Sequence, residues 1–102
     1  MRTTRLQKES LKQEIKEILS QEKEVRKIFI FGSFVKSNHP NDIDIAIFQD
    51  SDEPYLQLAM KYRRLTRPIA RKIAIDIIPV KSDAADSWFL SEIMAGELIY
   101  ER

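Results

Sequence analysis

The chain has 102 residues, enough for one domain with a modest core and too few for two. Its composition is 43% hydrophobic and 32% charged, as in soluble globular domains, and a net charge of +1 argues against nucleic-acid binding by bulk electrostatics. Cysteine is absent, which excludes disulfides and thiolate metal sites, and no apolar run is long enough to cross a bilayer. The opening MRTTRLQKES lacks the apolar segment of a secretory signal, so a single cytoplasmic domain over residues 1–102 is expected.

Thr4 to Glu22 reads as an amphipathic helix with Leu11, Ile15, Ile18 and Leu19 on one stripe, and Thr4 with Gln7 makes a capping box. The stripe suits packing against a sheet better than holding a partner. Val25 to Phe31 follows as a strand whose near-continuous apolar end, Ile28 to Phe31, predicts burial on both faces and a central place in the sheet. Gly32-Ser33 is a turn, Phe34 to Ser37 one helical turn, and Asn38 to Asn41 a loop in which His39 is a solvated residue rather than a ligand. Ile43 to Phe48 is the second strand. Pro54 fits the first turn of a helix continuing over Tyr55 to Leu65, with Leu56, Met60 and Leu65 directed inward. Pro68 ends that helix and leaves Arg67 to Lys72 as a second short turn.

Six basic residues (Lys61, Arg63, Arg64, Arg67, Arg71 and Lys72) lie along this stretch with no acid among them. They read first as a solvated helix face and second as a surface for phosphates, RNA or an acidic partner. Ile73 to Val80 is the third strand. Asp83 to Met94 reads as a helix directing Trp88, Phe89 and Ile93 into the core. Gly96 suits a helix C-terminus with positive φ, and Leu98 to Tyr100 a short edge strand.

The chemistry concentrates where the second strand begins. Side chains alternate along a strand, so Asp42 and Asp44 share one face while Ile43 and Ile45 take the other. Asp-Ile-Asp alone is common as structural decoration, and Gly-Ser is a frequent turn pair. A third acid changes the balance: Asp76 stands inside the run Ile73 to Ile78, where a carboxylate calls for a partner, a metal or a strand edge. Acids on two apolar strands near a Gly-Ser turn point to divalent metal and phosphate.

Gly32-Ser33, Asp42-Ile43-Asp44-Ile45 and the later Asp76 resemble the minimal nucleotidyltransferases of the DNA polymerase beta superfamily, of the MntA-like antitoxin type. The likeness runs from about Val25 to the end and includes the tail from Phe89 to Tyr100. Two features depart from the common pattern. Ser37 stands where many members carry glycine, and the connection from Ser33 to Asp42 is slightly short. The resemblance implies an α/β (α+β) nucleotidyltransferase fold, a small mixed sheet with helices packed against it.

It also implies transfer of a nucleoside monophosphate, AMP from ATP or the equivalent from another nucleoside triphosphate, to a hydroxyl. Asp42, Asp44 and Asp76 would be the catalytic, metal-holding acids for two Mg²⁺ ions, and Gly32, Ser33 and Lys36 the nucleotide contacts. The partner it implies is a HEPN-domain toxin encoded nearby, modified on a tyrosine. Neither membrane nor nucleic acid is expected as a partner. The competing expectation is a binding module that inhibits its partner by complex formation alone.

Overall fold

The computed structural model describes residues 4–84 and 88–102. Helix α1 (Arg5–Leu19) leads into β1 (Val25–Phe31), the single turn α2 (Ser33–Lys36) and β2 (Asp42–Gln49). Helices α3 (Tyr55–Leu65) and α4 (Arg67–Ala70) then precede β3 (Ala74–Lys81), α5 (Trp88–Met94) and β4 (Glu97–Glu101). The sheet is mixed, in the order β3-β2-β1-β4: β1 pairs antiparallel with β2 and β4, and β2 pairs parallel with β3. This is the α/β architecture expected. The parallel pair is joined through α3 and α4, the crossover that parallel strands require. Among the described residues, no helix is long and apolar enough to cross a membrane.

Strand periodicity sorts the core into two layers. Ile28 and Ile30 of β1, Ile43, Ile45 and Ile47 of β2, and Ile77 of β3 point to one face, where they meet Leu11, Ile15 and Leu19 of α1, Leu58 and Tyr62 of α3, and Ile69 of α4. Phe29, Phe31, Ala46 and Phe48 point to the other and pack with Ile93 of α5. The expected capping box is present: the Gln7 N–H donates to Thr4 Oγ1 at 3.1 Å and the Thr4 N–H to Gln7 Oε1 at 2.8 Å. As expected, β1 is central, and Pro68 opens a separate turn at α4.

Several expectations are corrected. Helix α1 stops at Leu19 rather than Glu22, and β3 begins at Ala74 rather than Ile73. Helix α5 begins at Trp88; the part of the expected helix at 85–87 lies outside the described residues. Leu56 and Met60 are exposed, and α3 instead buries Leu58, Ala59 and Tyr62. Pro54 is the N-cap residue rather than the first helical one. Tyr62 can be wholly buried because its hydroxyl donates to Glu24 Oε2 at 2.8 Å. Burial and the charge of that acid push the phenol well above its ordinary range. Trp88 and Phe89 do not enter the core; of the three residues expected there, only Ile93 does.

The basic stretch is also divided. Lys61 bridges Glu22 at 2.8 Å and Glu24 at 2.9 Å, and Lys72 bridges Glu14 at 2.7 Å, so both pin helices to their neighbours. Among the described residues, Arg63, Arg64, Arg67 and Arg71 are exposed and make no ion pair.

Gly96 serves the fold differently from the role its position suggested. Its φ is not positive, since Gly32 alone has that conformation among the described glycines. A Cβ at Gly96 would instead collide with the Ile30 carbonyl oxygen and lie 2.7 Å from Phe31 Cβ. Backbone on β1 cannot step aside as a flexible side chain can. Gly96→Ala is therefore expected to destabilise by about 2–3 kcal/mol, the range for overpacking, and to lower the melting temperature by roughly 10 °C or more. Thermal melting followed by circular dichroism checks this; a loss of less than a few degrees would mean that β4 can shift freely.

Candidate active site

The acids come together because of pairing that is not local. Asp42 and Asp44 occupy alternate positions of β2 and so share a face. The parallel register sets Asp44 directly beside Asp76 of β3 and Asp42 beside Ala74. One carboxylate oxygen from each of Asp42, Asp44 and Asp76 lies within 4.8 Å of the others. Asp42 and Asp44 are half-buried, while Asp76 is exposed on β3, which forms an edge of the sheet. Further along the same face the side chains are Ala46, Phe48 and Ile78. The trio therefore sits where an apolar layer opens to solvent.

Electrostatics mark Asp44 as the centre of this group. Its pKa is raised from the ordinary 3.8 to about 6, first by burial, then by the charges of Asp42 and Asp76, and then by a hydrogen bond shared with Asp76. Three close carboxylates with no cation repel one another, and hard oxygen donors at such spacing suit Mg²⁺, which is usually held by one or two carboxylates plus substrate phosphates. The donor set therefore fits the metal that the sequence implied.

A stability consequence follows. An acid whose pKa is raised on folding binds its proton more tightly in the folded state. Its stabilising contribution is complete below pH 3.8 and is lost as pH rises through about 6. Metal-free protein is thus expected to lose on the order of 1 kcal/mol from this group between pH 4 and pH 7, after allowance for solvent screening. Melts in chelator across that range should show a decline of a few degrees in wild type that is absent in Asp44→Asn. Parallel pH profiles for the two proteins would contradict it.

The Gly32 turn lies against the same acid. Gly32 has φ 77° and ψ −151°, a region essentially reserved for glycine. A Cβ there would collide with Asp44 Oδ2. Glycine is therefore needed twice, for its backbone angles and for the room it leaves beside the carboxylate. Helix α2 starts at once: the Val35 N–H donates to the Gly32 carbonyl at 3.2 Å and the Ser37 N–H to the Ser33 carbonyl at 2.8 Å. Ser33 is exposed at the head of this turn and Lys36 is exposed at its end. Ser37 has φ −107° and ψ 148°, extended backbone open to any residue, so the serine at this position does not strain the turn. His39 stays exposed in the loop, its N–H donating to Ser37 Oγ at 2.9 Å.

Lys8 of α1 was not among the residues singled out from sequence. Its ammonium donates to the Ser37 carbonyl at 2.6 Å and lies 5.4 Å from the centre of the Phe34 ring, so it ties the end of α2 to α1. Nothing in the helical pattern separates Lys8 from the other lysines of α1, because its partner lies on a distant part of the chain.

Fold and site together define a class: a small α/β domain that gathers oxygen ligands beside a glycine turn at the mouth of its sheet. The chain belongs to the polymerase beta nucleotidyltransferase family, whose family model matches residues 13–102. Its fold is shared with a chain of the complex between a tri-AMPylated HEPN toxin of Shewanella oneidensis and its MNT antitoxin, at TM-score 0.63 and 18% identity over 93% of this chain and 73% of that one. It is similar to a chain of the toxin–antitoxin complex MntA-HepT, at TM-score 0.60 and 17% identity over 92% of this chain and 73% of that one. A toxin–antitoxin structure with AMP-PNP gives TM-score 0.64 and 20% identity over 89% of this chain and 73% of that chain. No curated protein matches the chain by sequence.

Proposed function

We propose that this nucleotidyltransferase domain moves AMP from ATP to a tyrosine hydroxyl of a HEPN-domain partner and thereby acts as that partner's antitoxin. The observation that carries the reading is the meeting of Asp42, Asp44 and Asp76 beside the Gly32 turn. The fold neighbours support the choice of nucleotide and acceptor, since one is a complex with an AMPylated HEPN toxin and another holds AMP-PNP.

In this reading Asp42 and Asp44 would hold two Mg²⁺ ions, with Asp76 completing the ligand set on the acceptor side. Bound there, the ions would supply positive charge to the phosphates and make the acceptor hydroxyl more acidic. Gly32 lets backbone approach the triphosphate, Ser33 offers its hydroxyl and N–H, and Lys36 adds a cation. Asp76 takes the acceptor proton or orients the group that does. The acceptor oxygen forms a bond to the α-phosphorus, the bond from that phosphorus to its bridging oxygen breaks, and pyrophosphate leaves. Holding acceptor and phosphate in line supplies much of the acceleration, as in phosphoryl transfer generally.

The test is direct. The protein is incubated with the HEPN protein encoded beside it, ATP and Mg²⁺, and the partner is weighed by mass spectrometry. A gain of one or more AMP groups on a tyrosine is expected. Loss of partner toxicity with no mass gain would replace transfer by inhibition through complex formation.

A further inference from the structure

Two aromatic side chains at the start of α5 are left open to solvent on the side of the sheet that carries the acids. Trp88 is 76% exposed and Phe89 40% exposed, although large aromatics are ordinarily drawn inward. Among the described residues, Trp88 makes no hydrogen bond and no ring contact. Phe89 packs against Phe31 of the sheet, with ring centroids 6.2 Å apart and planes at 87°. Phe31 is the last residue of β1, immediately before Gly32, and its cross-strand partner is Asp44. Cross-strand neighbours on one face have Cβ atoms about 5 Å apart. Phe89 is therefore one ring beyond a direct neighbour of the central acid.

The side of the site also matters. Asp76, proposed above as the acceptor-side acid, is on β3, whereas Phe31 ends β1, Gly32 follows it and Phe89 of α5 packs on Phe31, all on the other side of β2. A triphosphate held at the Gly32-Ser33 turn would have α5 within reach of its nucleoside, because Phe89 packs on Phe31, the residue just before that turn. We propose that Phe89 and Trp88 form the platform on which the purine base of the incoming nucleotide stacks. This rests on the proposed nucleotidyl transfer and extends it to the base. Stacking on aromatic rings tolerates any base but favours the larger purine surface, so such a platform gives affinity with a moderate preference for purine nucleotides.

Trp88 is the chain's single tryptophan, which makes it a built-in reporter. Titration of the protein with Mg²⁺-ATP should change its emission, and Mg²⁺-tripolyphosphate, which has no base, should bind without doing so. Calorimetry on Trp88→Ala and on Phe89→Leu, which keeps apolar packing on Phe31, should show ATP binding weakened about tenfold and tripolyphosphate binding unaltered. Thermal melts establish that each variant is folded. Wild-type ATP affinity in both folded variants overturns the platform. Unaltered ATP affinity with slower AMP transfer to the partner overturns it too, and assigns the aromatics to the acceptor protein. If wild type bound neither ATP nor tripolyphosphate with Mg²⁺, the transfer reading itself would fall and the platform with it.

Discussion

Replacing Asp44 with asparagine is expected to lower the proposed AMP transfer by at least about three orders of magnitude, ~4 kcal/mol of transition-state stabilisation, without unfolding the protein. Asp44 is the acid that links the other two to the Gly32 turn. It pairs in register with Asp76, shares a face with Asp42 and lies against Gly32. An amide keeps the shape and one oxygen but loses the charge that the proposed divalent cation would need. The same change removes repulsion among three carboxylates, so the metal-free variant should be more stable than wild type at neutral pH, by on the order of 1 kcal/mol. Loss of activity with a gain in stability separates a functional acid from a structural one. Transfer of labelled AMP within tenfold of wild type would remove Asp44 from the mechanism.

Gly32→Ala is expected to damage fold and site together. Its backbone angles cost a non-glycine residue about 1–3 kcal/mol, and the added methyl meets Asp44 Oδ2. The carboxylate can swing aside, so the domain should still fold, with a melting temperature lowered by roughly 10 °C. A displaced Asp44 would leave the trio, however, and Mg²⁺-dependent ATP binding should fall at least tenfold. Calorimetry with ATP and Mg²⁺, beside thermal melting, reads both effects. Retained affinity in the destabilised variant would show that the turn and the acids act separately.

Exposed arginines and exposed aromatics occupy opposite sides of the sheet. The face packed against α1, α3 and α4 has Arg63, Arg64, Arg67 and Arg71 on its outer helices, and the face bearing the acids has Trp88 and Phe89 on α5. The arginines are unpaired among the described residues, but nothing places them over the reacting groups. The basic stretch accordingly keeps its reading as a solvated helix face, with Lys61 and Lys72 reassigned to structural ion pairs.

Where an element's own residues carry the signal, the sequence determined the outcome. The capping box at Thr4, the stripe of Leu11, Ile15 and Leu19, the break at Pro68 and the common face of Asp42 and Asp44 all follow from short-range geometry. Hydrophobicity misled where a helix is too short or too peripheral to bury both its faces. Leu56, Met60, Trp88 and Phe89 look like core residues by type, yet α3 turns Tyr62 inward because Glu24 satisfies its hydroxyl, and α5, over its described residues, turns Ile93 to the sheet and leaves Trp88 outside.

Only the tertiary structure decided that β3 lies parallel to β2 with Asp76 beside Asp44, that the Asp44 carboxyl is raised well above its ordinary range, that Lys8 secures α2, and that Gly96 is small because β1 passes against it. Periodicity along a segment reports which face is buried, but register and side-by-side charge depend on which segment is the neighbour. That choice is made by packing over the whole chain.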